Sequence, residues 1–222
     1  MRLRHARTEL ELHELSPRDG PALLLLHALG GSSAEWSEAP ALWPGPVFAL
    51  DFCGHGGSDW VRGGIYQPEM LAGDADVALA HVGVAALAGA GVGAYVALLL
   101  AGGRPEPVPA ALLLPGRGLA GGGPRPDFDR SMLTPFTPSA RPPLPAGCDP
   151  LCGALECDPR PPDYAAAFAA RARRLVLLED GDPRPPWWAA AQRAPTAESL
   201  DGDVRRALAR LAEIATAHGG HR

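Results

Sequence analysis

Val84-Ala85-Ala86-Leu87-Ala88-Gly89-Ala90-Gly91-Val92-Gly93-Ala94-Tyr95-Val96-Ala97-Leu98-Leu99-Leu100 is the stretch that decides the fold. Its first half, Val84 to Gly89, has the length and apolar character of a buried strand. Its second half, Val92 to Gly102, is long enough for a buried helix. Between them Gly89, Ala90, Gly91, Gly93 and Ala94 leave room for a sharp turn. This is the spacing of a G-x-S-x-G turn, which holds a serine nucleophile above the C-terminal edge of a sheet. Here the middle position is Gly91. With no side chain it cannot be a nucleophile. The same residues therefore point to an architecture and argue against its usual chemistry.

Working outward, apolar runs alternate with helical patterns. Leu10 to Leu15 alternates like an edge strand. Ala22 to Leu29 is a continuous apolar run ending at Gly30-Gly31, and Ser32 or Ser33 can cap a short helix through Trp36. Val47 to Phe52 reads as a buried strand and is followed by the turn Gly54-His55-Gly56-Gly57-Ser58. Pro68 to Val82 has a helical period, with proline suited to the first turn. Further strands are expected at Ala110 to Pro115, Leu175 to Leu178 and Thr196 to Leu200. Helices are expected at Pro162 to Ala172, Pro185 to Arg193 and Asp203 to Ala217. Continuous apolar strands alternating with helices predict an α/β fold with a mostly parallel sheet covered on both faces. From Gly116 to about Pro162 glycine and proline break the pattern, which rules out long helices there. Residues 117–172 are read as a short lid insertion over the C-terminal edge of the sheet; a plain linker is the alternative.

Composition sets outer limits. A chain of 222 residues, 46% hydrophobic, is one domain with a sizeable core. A net charge of −5 implies no basic surface for nucleic acid. All 20 basic residues are arginine, which reads as composition bias. No charged start followed by a long apolar stretch suggests a signal peptide, and no apolar run approaches the length of a membrane span. The expectation is a cytoplasmic protein that binds neither nucleic acid nor membrane, with a homodimer left open. Of four cysteines, Cys148, Cys152 and Cys157 are spaced by four and five residues, with no C-x-x-C pair and no histidine close in sequence. They read as ordinary thiols, a disulfide or metal clip being the alternative, and no metal or cofactor is assigned to them.

Four segments in order resemble the α/β-hydrolase fold family, over nearly the whole chain. Leu23 to Ser32, containing His27-Ala28-Leu29-Gly30, resembles the strand and loop that carry the oxyanion hole. Asp51-Phe52-Cys53-Gly54-His55-Gly56-Gly57-Ser58 resembles the D-x-x-G-H-G-x-S turn. Gly89 to Gly93 resembles the nucleophile elbow, and Arg174 to Asp182 the late strand that delivers the acid. The resemblance implies a single α/β-hydrolase domain over residues 1–222. It also implies a nucleophile at Gly91, an acid at Asp182 (with Asp180 as neighbour) and a base near Leu200 to Val204. That last segment holds Asp203 and no histidine. His218 and His221 lie at the far end of the final helix, roughly 20 Å from its start. The oxyanion donors implied are the N–H groups of Leu29 and Val92, beside His27 and Ala28. In the family His27 and His55 are mainly structural. Ser32, Ser33, Ser58 and Cys53 are substitute nucleophiles on paper. Asp180-Gly181-Asp182-Pro183 reads equally as a polar turn.

Three functional readings follow. The first is a degenerate hydrolase that binds a small carbonyl- or ester-bearing molecule in its cleft without turnover. The second is an enzyme using a non-standard catalytic group. The third is a structural or partner protein whose cleft is filled, with Trp36, Trp60, Trp187 and Trp188 as bulky groups near the expected cleft edge.

Overall fold

The computed structural model describes residues 1–61, 65–121 and 144–219. The central part of the expected insertion, 122–143, and His221 lie outside the described residues. The chain begins with β1 (Arg2–His5), β2 (Thr8–Ser16) and β3 (Ala22–Leu26). A 3-10 turn (Ser33–Trp36) and α1 (Ala39–Leu42) lead to β4 (Val47–Asp51). Then come α2 (Pro68–Val82), β5 (Ala85–Ala90), α3 (Val92–Gly103) and β6 (Ala111–Leu114). A second 3-10 segment (Pro150–Glu156) precedes α4 (Pro162–Arg171), β7 (Leu175–Glu179), α5 (Pro186–Gln192), β8 (Ala197–Asp201) and α6 (Val204–Gly219).

The strands form one sheet in the order β1-β2-β4-β3-β5-β6-β7-β8. From β4 to β8 every neighbouring pair is parallel, while β1 and β2 join antiparallel. Alternation along the central strands explains why they read as unbroken apolar runs. Leu24 and Leu26 pack on one face with Leu87, Leu113, Tyr95 and Trp187. Leu23 and Leu25 pack on the other with Ala86, Leu112, Trp43 and Leu211 of α6. Both faces are covered, so a strand such as Ala22–Leu26 is buried at all five positions. Each fully buried leucine contributes about 1.5–3 kcal/mol by leaving water.

Burial also accounts for α3. Every residue from Val92 to Gly102 is buried, which an amphipathic pattern would not reveal. The helix lies against β5 and β6, and α2 and α4 cover it. Its first turn is therefore fixed from all sides at the C-terminal edge of β5, where the elbow lies. The sequence reading did not anticipate β1. Arg2-Leu3-Arg4-His5 alternates exposed and half-buried, so it carries no apolar run, and only pairing with β2 makes it a strand. Among the described residues no helix is long and apolar enough to cross a membrane.

Candidate functional site

Gly91 sits between the last residue of β5 and the first of α3, with φ +57° and ψ −120°. That left-handed backbone suits glycine best. A Cβ built on Gly91 would lie 2.0 Å from the carbonyl oxygen of Arg117 and 2.8 Å from the carbonyl carbon of Gly116. The volume where a nucleophilic side chain would begin is thus taken by the backbone of the segment after β6. The same Arg117 oxygen accepts hydrogen bonds from the N–H of Leu29 and the N–H of Val92, each at 3.1 Å. These are the two donors the resemblance assigns to the oxyanion hole. They converge on one oxygen, as that role needs, and the oxygen belongs to the chain itself. Val92 opens the 12-residue helix α3, so the helix dipole adds to the pull on that carbonyl.

The segment that delivers Arg117 is held on several sides. Gly118 has φ +78°, and a Cβ there would come within 2.8 Å of the Leu29 Cβ and 3.2 Å of the Val92 Cβ. Only glycine lets the segment lie this close to the elbow. The Leu119 N–H closes a turn onto the Gly116 oxygen at 3.3 Å. Buried Arg160 donates to the carbonyls of Gly118, Leu119 (2.5 Å) and Leu155 (3.1 Å). Its guanidinium lies 5.0 Å over the Tyr95 ring. The Trp187 indole donates to the Leu119 oxygen at 2.9 Å and meets Tyr95 edge-on at 4.9 Å. The Arg117 side chain pairs with Glu156 at 3.0 Å. Sequence reasoning missed Arg117 because its main-chain oxygen makes the contact, and Glu156 and Arg160 because their side chains reach partners about 40 residues away. The run Gly116-Arg117-Gly118 straight after a strand was the available signal.

The loop after β3 is built on His27. Its Nε2 accepts the Phe52 N–H at 3.0 Å, so Nδ1 carries the proton and donates to the Ala28 oxygen at 2.7 Å. Burial, reinforced by the neighbouring His55 ring, pushes the imidazole down to about 3 and keeps it neutral. His27 faces the core and ties the loop to β4. The Ala28 N–H is engaged by the Glu35 carboxylate at 3.2 Å. Asp51 organises the glycine-rich turn: its carboxylate accepts from the N–H groups of Ser33 (2.6 Å) and Gly57 (2.8 Å) and contacts His13 (3.2 Å). Burial acts to raise the Asp51 carboxyl, but these donors outweigh it and hold the group below its usual value.

The remaining candidates are engaged elsewhere. Asp182 is exposed; its N–H donates to the Asp180 carboxylate at 3.0 Å, and Arg184 reaches the same carboxylate at 2.5 Å. Asp203 caps α6 by accepting the Arg206 N–H at 2.8 Å. His218 lies in the last turn of α6. Ser32 caps the first 3-10 turn at 3.3 Å, and Ser58 donates to the Asp51 carbonyl at 2.5 Å. Cys53 is buried and donates to the Asp59 oxygen at 3.2 Å; burial and the Asp74 charge push its thiol up to about 12. Trp188 donates to Glu179 at 2.9 Å, Trp36 is buried on the α6 face, and Trp60 is exposed. A recess of about 590 Å³ lined by Pro109, Arg174, Arg210 and His218 lies at the N-terminal edge of the strands, opposite the elbow.

Similar architectures occur among solved structures. A hypothetical protein from Pseudomonas aeruginosa PAO1, PA1622, superposes with a TM-score of 0.67 at 19% identity, over 99% of both chains. The enol-lactonase from Burkholderia xenovorans LB400 gives 0.68 at 18% identity, over 94% of this chain and 96% of that one. The chain has the α/β-hydrolase fold. Another structure with this α/β-hydrolase architecture is the bottromycin epimerase BotH in complex with bottromycin A2. It matches with a TM-score of 0.63 at 21% identity, over 100% of this chain and 98% of that one. No protein-family model and no curated protein matches the sequence.

Proposed function

We propose that this α/β-hydrolase-fold protein does not hydrolyse esters and serves as a scaffold whose cleft is filled from within, the filled-cleft reading of the sequence. One observation carries the proposal: the Arg117 carbonyl accepts from both Leu29 and Val92, where the fold's enzymes would bind a substrate oxygen. Four further features support it. Glycine stands at the nucleophile position, and residues 200–204 contain no histidine. Asp182, at the acid position, is exposed. His5, His13 and His27 are bonded to Asp74, Asp51 and backbone groups. Sharing a fold with a lactonase and an epimerase does not assign an activity, because chemistry resides in the site.

The favoured sequence reading, a carbonyl ligand held without turnover, needs Leu29 and Val92 free. A ligand would have to displace Arg117 and leave its oxygen short of two bonds, at about 1–3 kcal/mol for each unsatisfied group. The test combines a panel of p-nitrophenyl esters, a fluorophosphonate probe for reactive serines, and amide spectra recorded with short-chain esters and carboxylates. No turnover above buffer, no labelling and no shift at Leu29 or Val92 is the expected result. Saturable turnover or labelling would establish the enzyme reading. Shifts confined to those two amides would establish the ligand reading.

A further inference from the structure

His55 and the pair Cys148 and Cys152 are nearly a hundred residues apart in sequence, yet the fold clamps them together. Asp149 N–H donates to the Gly54 oxygen at 2.8 Å, Gly56 N–H donates to the Gly147 oxygen at 3.2 Å, and His55 forms a backbone bridge with Cys148. Exposure is 0% for His55, 3% for Cys148 and 0% for Cys152. One ring nitrogen of His55 and the two Sγ atoms all lie within 4.8 Å of one another. The His55 Nδ1 is 3.2 Å from the Cys53 oxygen and 3.9 Å from the Cys152 Sγ. Its Nε2 is buried with no partner among the described residues. An imidazole one bond short, in a dry place beside two sulfurs, is unusual in a folded interior.

We propose that His55, Cys148 and Cys152 hold a structural zinc(II) ion that staples the 147–152 segment to the glycine-rich turn after β4. The donor set is soft, which suits zinc and excludes calcium and magnesium, both of which require oxygen ligands. Two thiolates and a neutral imidazole balance the two positive charges, so the loaded site is neutral, as burial demands. Binding displaces the thiol protons to solvent, one for each cysteine that enters as a thiol, and the proton that His55 Nδ1 shares with the Cys53 oxygen moves to Nε2 as Nδ1 takes the metal. Tetrahedral zinc with Zn–S bonds of about 2.3 Å sets sulfurs about 3.8 Å apart, within a short side-chain rotation of the present cluster. The Gly54 carbonyl oxygen lies 3.8 Å from the Cys152 Sγ and is the nearby candidate for the fourth ligand. The spacing of the cysteines is only a weak signal for this, because the histidine arrives from a distant turn.

The full chain, purified under reducing conditions without chelator or immobilised metal, is to be analysed for zinc by mass spectrometry and for its melting temperature. About one zinc per chain is expected, with a melting temperature that falls on chelation and recovers when zinc is restored. The double variant Cys148→Ser, Cys152→Ser is expected to lose the zinc and its thermal response. Should that variant fail to fold, cobalt(II) titration of the wild-type chain supplies the readout: thiolate-to-cobalt charge transfer and the intense visible bands of a tetrahedral site. Reduced wild-type protein with neither zinc nor those bands would overturn the proposal. So would zinc retained in full by the double variant, or copper(I) bound in its place.

Discussion

At the scale of one residue, Gly91 excludes a side chain. A side chain there meets both a left-handed backbone and the Arg117 oxygen at 2.0 Å. Gly91→Ser is therefore expected to lower stability by about 1–3 kcal/mol in urea denaturation, and to leave p-nitrophenyl acetate untouched because no base stands at 200–204. Rapid turnover by that single variant would mean that a histidine reaches the elbow after all. Asp51 gives a pH signature. Its folded carboxyl lies below its ordinary 3.8. The stability it contributes is thus fully present above that value and is lost as pH falls through the folded value. Asp51→Asn is expected to cost about 1.5–3 kcal/mol near neutral pH, with the gap to wild type closing in strong acid. A constant gap across the pH range would contradict this role. Cys53, its thiol pushed up to about 12, is expected to resist iodoacetamide in the folded protein and to react once unfolded. Peptide mass mapping of both samples decides the point.

Among the elements, the segment from Gly116 to Leu119 seats the Arg117 carbonyl on the Leu29 and Val92 amides. Arg160 and Trp187 hold its carbonyls from the far side. Arg160→Met keeps the packing on Tyr95 but removes the donors. It is expected to cost about 1.5–3 kcal/mol and to speed hydrogen exchange at Leu29 and Val92 more than at β3. Unchanged exchange at those two amides would show that the segment needs no such anchor. This contact was illegible in the sequence for a physical reason. A carbonyl meeting two N–H groups leaves no side-chain signature, and glycines beside Arg117 are equally at home in an ordinary loop. Strands β3 to β7, by contrast, were legible because burial on both faces selects continuous apolar runs.

At the scale of the whole molecule, the α/β-hydrolase fold was recognisable because it places small residues at the β5–α3 turn and a glycine-rich turn around Asp51. What the site does was not, since it depends on a segment that packs in from after β6. The Leu29 and Val92 N–H groups, which the family resemblance implies would polarise a substrate carbonyl, are directed at the chain's own Arg117 oxygen. Hydrogen exchange of the Leu29 and Val92 amides, followed by NMR without added ligand, tests this most directly. Protection comparable to the central strands is the expected result. Exchange as fast as that of solvent-exposed amides would mean that the hole stands open, and would contradict the filled-cleft account.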